Sequence, residues 1–258
     1  PRLCRDWSSD VCSSDLWLLG LAAYFIFLLA ALPAAYLTHW ISSHVPGMEL
    51  GGVSGSVFSG RAEELRIGSR NLGAVDWHFD WLAPFTATVG YRFHLHGDTQ
   101  DLDGRLDKGF GSLHLRDLKG RVAVASVEPW LPLPSHSLSG SLLIDLKQLQ
   151  LKASHLQSAT GDIELDDGVL SWPAAYTLGS FRLSLSPAAA GGVDGEITDV
   201  ASPLKLATRL SLSPEGAYHL SGTLAARDPG DTATRNLLAN LGRPDSTGQY
   251  PFDFKGQW

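Results

Sequence analysis

His94-Leu95-His96 is the one close pair among the nine histidines of the chain. On a β-strand, residues i and i+2 share a face, so both imidazoles could reach a single ion. Arg92 falls on that same face, and no neighbouring residue in the sequence supplies the third and fourth ligands that a zinc site requires. A solvated strand face is the expectation, and no metal is assigned. Carboxylates cluster in Asp101-Leu102-Asp103-Gly104 and in Asp166-Asp167-Gly168. Neither continues into the alternating ligands and distal glutamate of a calcium loop. Asp-Gly pairs between alternating runs predict hairpin turns instead.

No GxSxG elbow, P-loop, GxGxxG or HExxH motif occurs, and the serines fall in turns or on alternating polar positions. The only cysteines, Cys4 and Cys12, lie within the first sixteen residues, so the remainder has no disulfide, thiolate metal site or cysteine nucleophile. The sequence thus assigns no catalytic residue and no cofactor, and an enzyme is the weakest of the function classes. Trp77, Trp81, Trp130, Trp172 and Trp258 stand in or near strand-like runs, where large aromatics serve core packing more often than a ligand platform.

These residues sit on elements whose hydrophobic period is two almost everywhere. Tyr91 to His96, Ser112 to Arg116, Leu142 to Leu146, Asp162 to Leu165, Phe181 to Leu185, Leu210 to Leu212 and Tyr218 to Leu220 all alternate. Turn-forming clusters separate them: Gly97-Asp98, Asp107 to Gly109, Pro132 to Pro134, Gly191-Gly192 and Ser213 to Gly216. No helical crossover long enough for parallel pairing intervenes, so hairpins and meanders are expected. Gly140, Gly161, Gly195 and Gly222 each open an alternating run, which suggests hairpins added along one bent sheet. The single convincing helix starts at Asp231 or Thr232, places Leu237, Leu238 and Leu241 on one side, and stops at Gly242 before Pro244.

At the start of the chain, Asp6 to Leu16 reads DWSSDVCSSDL, which resembles the translation of a sequencing-library adaptor, and residues 1–16 are set aside as a non-native tail. Leu16 to Leu37 is an uncharged, apolar run long enough to cross about 30 Å of hydrocarbon as a helix, with a cleaved signal peptide as the alternative. Residues 17–40 are therefore expected to be a transmembrane anchor. Arg2 and Arg5 belong to the tail and are weak evidence for topology, but Thr38 to Met48 contains no Lys or Arg, which favours translocation of everything after it. A net charge of −7 without a basic patch argues against nucleic acid and against electrostatic docking to anionic lipid.

Gly52-Val-Ser-Gly55-Ser-Val-Phe-Ser-Gly60-Arg-Ala resembles the opening motif of type II secretion system protein N, a family in which such a pattern follows a membrane anchor. Val75-Asp-Trp77 with Trp81-Leu-Ala-Pro84 is similar to that family's next block, and Gly168 to Phe181, containing Trp172 and Gly179, to its middle motif. Gly216 to Arg227, containing Tyr218 and Gly222, resembles its C-terminal signature together with Gly242, Asp245, Gly248, Tyr250 and Gly256. Phe58 stands where the family often has tryptophan, and Ala226 where it often has proline before Arg227.

The resemblance implies an accessory inner-membrane component of the machine that moves folded proteins across the outer membrane of Gram-negative bacteria, with other secretion subunits as partners and no cofactor or catalytic residue. The broader pattern also resembles AsmA-like proteins, whose curved sheets are associated with lipid. The expected fold is mainly β: an N-terminal transmembrane helix, then a curved antiparallel sheet over residues 46–258 in the periplasm, with one short helix in the C-terminal region. Two functions stay open, a scaffold and a module for lipid or another apolar ligand. The discriminator is whether Phe93, Leu95, Leu113, Leu115, Leu142, Ile144, Ile163 and Leu165 seal against each other or line an open groove.

Overall fold

The computed structural model describes residues 17, 19–21, 23, 24, 27, 28, 32–36, 38, 47–68, 70–83, 88–127, 138–153, 155–171, 175–240 and 242–257. Among them are sixteen strands: β1 (Met48–Gly51), β2 (Ser54–Gly55), β3 (Ser59–Ala62), β4 (Glu64–Ile67), β5 (Arg70–Asn71), β6 (Ala74–Asp80), β7 (Val89–His96), β8 (Gln100–Lys108), β9 (Ser112–Ala123), β10 (Leu138–Lys152), β11 (His155–Leu170), β12 (Tyr176–Pro187), β13 (Val193–Ala201), β14 (Leu204–Leu212), β15 (Ala217–Ala226) and β16 (Tyr250–Gln257). Between the strands lie two short helices, α1 (Val124–Val127) and α2 (Thr232–Ala239).

Thirteen of the strands form one sheet in the order β16-β15-β14-β13-β12-β11-β10-β9-β8-β7-β6-β3-β2, a meander in which neighbours in sequence are neighbours in space. The order skips only β4 and β5, which leave to form a small sheet with β1. Every pairing is antiparallel, as short turn-bearing connections require. The short glycine-containing segments at 97–99, 109–111, 188–192 and 213–216 form such connections.

The register turns local alternation into two continuous surfaces. On one face, Ala62, Val75, Leu95, Leu102, Gly120, Ile144, Ile163, Leu183, Ile197, Thr208, Gly222 and Phe252 stand opposite one another across successive strands. One residue along, the row is Arg61, Asp76, His94, Asp103, Lys119, Asp145, Asp162, Ser184, Glu196, Arg209, Ser221 and Asp253. Because side chains alternate sides, the first row is apolar on one face and the second polar on the other. Cross-strand pairs steady the polar face: Lys119 with Asp145 at 3.1 Å and Arg182 with Glu164 at 2.9 Å. Each is exposed and contributes little alone.

Both Asp-Gly segments expected as turns lie inside strands. Asp101 to Gly104 runs through the middle of β8, its aspartates on the wet face. Asp166-Asp167-Gly168 is a register shift in β11, where Asp167 takes a φ of 52°. A bulge and a turn draw on the same residue types, so composition alone does not separate them. Gly140 and Gly161 also sit at register shifts, between β10 and β11, with φ of 135° and 142°.

Among the described residues the apolar face is covered at few places. Ala34, Ala62 and Trp77 are buried together beneath Leu50 and Val53, and Leu156, Ala159 and Val193 form a second cluster with Leu185 and Leu212. Val124 of α1 and Leu238 of α2 are fully enclosed. Asp231 caps α2, accepting from the N–H groups of Ala233 and Thr234. Leu237 is half-buried, and Leu241, expected to share its side, lies outside the described residues.

Parts of the expected anchor at residues 17–40, the tail at residues 1–16, and Pro84, Trp130, Trp172 and Trp258 lie outside the described residues. Within the anchor, Trp17, residues 19–21, Ala23, Tyr24, Phe27 and Leu28 are helical. Among the described residues no helix is long and apolar enough to cross a membrane. Residues 32–34 pair with the first edge of the large sheet: Ala34 donates to the Gly55 carbonyl, Val57 donates to that of Leu32, and Pro33 bridges Ser56.

Candidate functional site

An apolar groove of about 590 Å³ opens where the small sheet meets the large one. Met48, Leu50 and Leu65 form one wall, from β1 and β4, and Trp77, Phe93 and Leu106 belong to the other, from β6, β7 and β8. The period-two pattern brings them together, since each is an apolar-face position of its strand. Val75, Tyr91, Leu95 and Leu113 continue the lining. Burial pushes the Tyr91 phenol above its usual range, as expected where water is scarce. An aromatic cluster adjoins Tyr91: Phe79 meets it edge-on at 5.4 Å, and Phe58 stacks on Trp81 at 5.0 Å. Trp81 is 62% exposed, so this cluster presents apolar surface to the outside.

Of the eight residues whose sealing was to separate a scaffold from an open groove, only Leu95 is buried. Phe93, Leu113, Leu115, Leu142, Ile144, Ile163 and Leu165 are half-buried, and Phe93, Leu95 and Leu113 line the groove itself. Against an uncovered sheet face, the chemistry on offer is non-directional burial of something apolar.

The motif residues are placed by packing and turns. Gly60 lies under Trp77, and a Cβ there would stand 2.5 Å from the indole ring. Above it, the Trp77 indole N–H is shared between the carbonyls of Ser56 and Val57 at 3.2 Å each. This ties the segment from Gly52 to Ala62 onto β6. Gly52, Gly55, Gly179, Gly242 and Gly248 have positive φ. At Gly179, φ is 77° and a Cβ would fall 2.0 Å from the Ala201 carbonyl, so only glycine fits. Gly222 faces the backbone of Ala207, and Gly256 lies against the Tyr218 ring opposite it in register.

Arg227 donates from Nε to the Ser202 carbonyl at 2.8 Å and pairs with Asp199. Asp245 accepts from the N–H groups of Thr247 and Gln249 and from the Thr247 hydroxyl, closing the turn that launches β16 at Tyr250. Those hydrogen bonds, the Thr247 hydroxyl first, hold its carboxyl below the usual range.

Around His94-Leu95-His96, the structure supplies carboxylates that sequence proximity does not. His94 Nδ1 lies 2.7 Å from Asp103 and 3.9 Å from Asp101, both on β8, and His96 lies 3.6 Å from Asp76 on β6. Register is the missing signal, since β8 returns beside β7 with its own alternate aspartates. Three donors, His94, Asp101 and Asp103, come close enough to share a divalent ion. The same carboxylates stand opposite Lys119 and Arg121 in the ladder, so counter-charges are already in place. The sequence also gives no hint of Thr234, which is fully buried on α2 and bonded to the Tyr176 hydroxyl at 2.5 Å. Its position three after the capping Asp231 is the only local signal.

A family model described as type II secretion system (T2SS), protein N, matches residues 46–253. The type II secretion system protein N of Aeromonas hydrophila is 29% identical over 260 residues, covering 93% of this chain and 96% of that protein. Its counterpart in Klebsiella pneumoniae is 27% identical over 254 residues, covering 93% and 94%. That of Vibrio cholerae is 26% identical over 230 residues, covering 82% and 85%. No solved structure matches the chain.

Proposed function

The chain belongs to the type II secretion system protein N family and is a type II secretion component, and from that premise we propose that it acts as an accessory assembly factor at the inner membrane, supporting export of folded proteins across the outer membrane. The family match over residues 46–253 carries this reading. In this account residues 17–40 form a single-pass anchor, residues 46–258 lie in the periplasm, and other secretion subunits contact the sheet. The uncharged run from Leu16 to Leu37 and the absence of Lys or Arg from Thr38 to Met48 support that topology. A phosphatase reporter fused after Trp258, on a chain with a native cytoplasmic start, is expected to be active. Activity only from a cytoplasmic reporter at the same position would refute the topology, and exoprotein release unchanged by deleting the gene would refute the role.

A second reading is favoured by one observation, the groove framed by Leu50, Trp77 and Leu106 with an uncovered apolar face beyond it. The sheet would then hold a lipid or another apolar ligand as part of its work in secretion. Mass spectrometry of an organic extract of the purified full chain tests this. A stoichiometric lipid supports it, and a lipid-free extract from protein isolated without detergent exchange contradicts it.

A further inference from the structure

The two edges of the large sheet are treated differently. The β2 edge is met by the chain's own residues 32–34, whereas β16 pairs with β15 alone, and among the described residues no strand lies on its outer side. An eight-residue open edge is a template for another strand unless something occupies or blocks it. The sequence of β16, Tyr-Pro-Phe-Asp-Phe-Lys-Gly-Gln, is specific about what that could be.

From the outward edge of β16 we infer that two copies of this chain pair through it, antiparallel about a two-fold axis at Phe254. An edge proline is accommodated with its missing N–H turned away from the ladder, so Pro251 marks residues 251, 253, 255 and 257 as the ones whose backbone faces outward. Centred on Phe254, the pairing sets Asp253 of each copy opposite Lys255 of the other, at both symmetric positions. Phe254 meets Phe254, Phe252 meets Gly256, and Gln257 donates to the Pro251 carbonyl. A one-residue slip would bring the apolar face against the polar one. Two-fold pairings centred one residue to either side would set Asp253 against Asp253, or Lys255 against Lys255. The charges that commonly protect an edge thus select one register here, and the partner they fit is the same strand.

Both surfaces of the sheet continue across the junction. Phe252 and Phe254 end the apolar rows through Gly222 and Leu220, and Phe254 is 52% exposed, while Asp253 and Lys255 end the polar face beside His219. Two copies would therefore share one apolar trough rather than present two that stop at an exposed phenylalanine. The pairing is independent of which ligand the trough holds and of the role in secretion.

The test uses the full chain in the membranes of the expressing cell, with Cys4→Ser and Cys12→Ser removing the only two cysteines of the sequence. At a non-hydrogen-bonded pair the two Cα atoms are about 4.5 Å apart, within disulfide range, so Phe254→Cys is expected to form a covalent dimer under mild oxidation. Phe252→Cys, which faces Gly256, is expected to cross-link poorly. Adding Lys255→Glu to Phe254→Cys is expected to lower the dimer fraction about tenfold, because two attractive pairs become repulsive. Restoring complementarity with Asp253→Lys on top of Lys255→Glu is expected to recover it. Equal cross-linking at 252 and 254, no dimer at 254, or indifference to charge reversal would each overturn the inference. Dimer not recovered by the double reversal would overturn it too, since misfolding of the single variant would then be the simpler account.

Discussion

Replacing Gly60 with alanine puts a methyl group into the tightest contact between the first motif and the sheet. The new Cβ would stand 2.5 Å from Trp77 Cζ2, 2.9 Å from Cε2 and 2.6 Å from the Ser54 carbonyl oxygen. Trp77 is 7% exposed and anchored by its shared N–H, so relief requires moving a buried indole or parting β2 from β3. Overpacking of this kind costs about 1–3 kcal/mol, and losing the indole hydrogen bond adds roughly 1, for a total of about 2–4 kcal/mol. Urea unfolding of the full chain in mild detergent, followed by far-ultraviolet circular dichroism, measures it. A double-mutant cycle isolates the cause: with Trp77→Phe already present, the benzene ring lacks the contacting atoms and Gly60→Ala should cost at least about 1 kcal/mol less. Part of the penalty stays, because the Ser54 carbonyl is still there. A loss below about 0.5 kcal/mol in the native background, or strict additivity in the cycle, would refute this role for the motif glycine.

Three further outcomes follow from named contacts. Asp231, Asp245 and Asp253 are held below the usual carboxylate range, each chiefly by a side-chain hydrogen bond, from Thr234, Thr247 and His219 respectively. A depressed carboxyl contributes stability above its unfolded value of about 3.9 and loses it as pH falls through the lower folded value, so Tm should drop below about pH 4 and less steeply in Asp245→Asn. An identical slope in that variant would contradict the assignment. Arg227→Met removes the bond to the Ser202 carbonyl and the pair with Asp199 and should destabilise by roughly 1 kcal/mol, the half-exposed setting discounting the rest, so an unchanged Tm would count against it. Ile163→Asp falls on the uncovered apolar face and should cost less than about 2 kcal/mol while reducing any co-purified lipid, whereas collapse of the fold would mean that the face is sealed.

Strand identity was legible because alternation is a local property: Tyr91 to His96 shows both faces within six residues, and its partners only extend them. Where sequence reading failed, the deciding fact was non-local. Asp101 to Gly104 has the composition of a turn, and only its pairing with β7 and β9 reveals a strand with acidic residues on its wet side. The carboxylates near His94 were missed for the same reason. The small sheet that walls the groove comes from runs of two to four residues between glycines, too short to display a period. Sealing of an apolar face depends on what lies above it, and the pattern of Leu142, Ile144 and Ile163 would be the same under a cover or in the open. At the C-terminal signature the relation was more direct, since Asp245 and Gly248 have the composition of a turn and here they do close one.

Exoprotein in the culture medium of a host lacking this gene tests the account most directly, with complementation by the native chain and by Leu106→Asp, which places a carboxylate in the groove beneath the small sheet. The native chain is expected to restore release. The variant should reach the membrane at the same level and fail to restore it, because burying an unpaired carboxylate excludes an apolar occupant. Full release from the strain without the gene would contradict the role in secretion, and full rescue by Leu106→Asp would contradict the second reading, in which the groove takes part in that role.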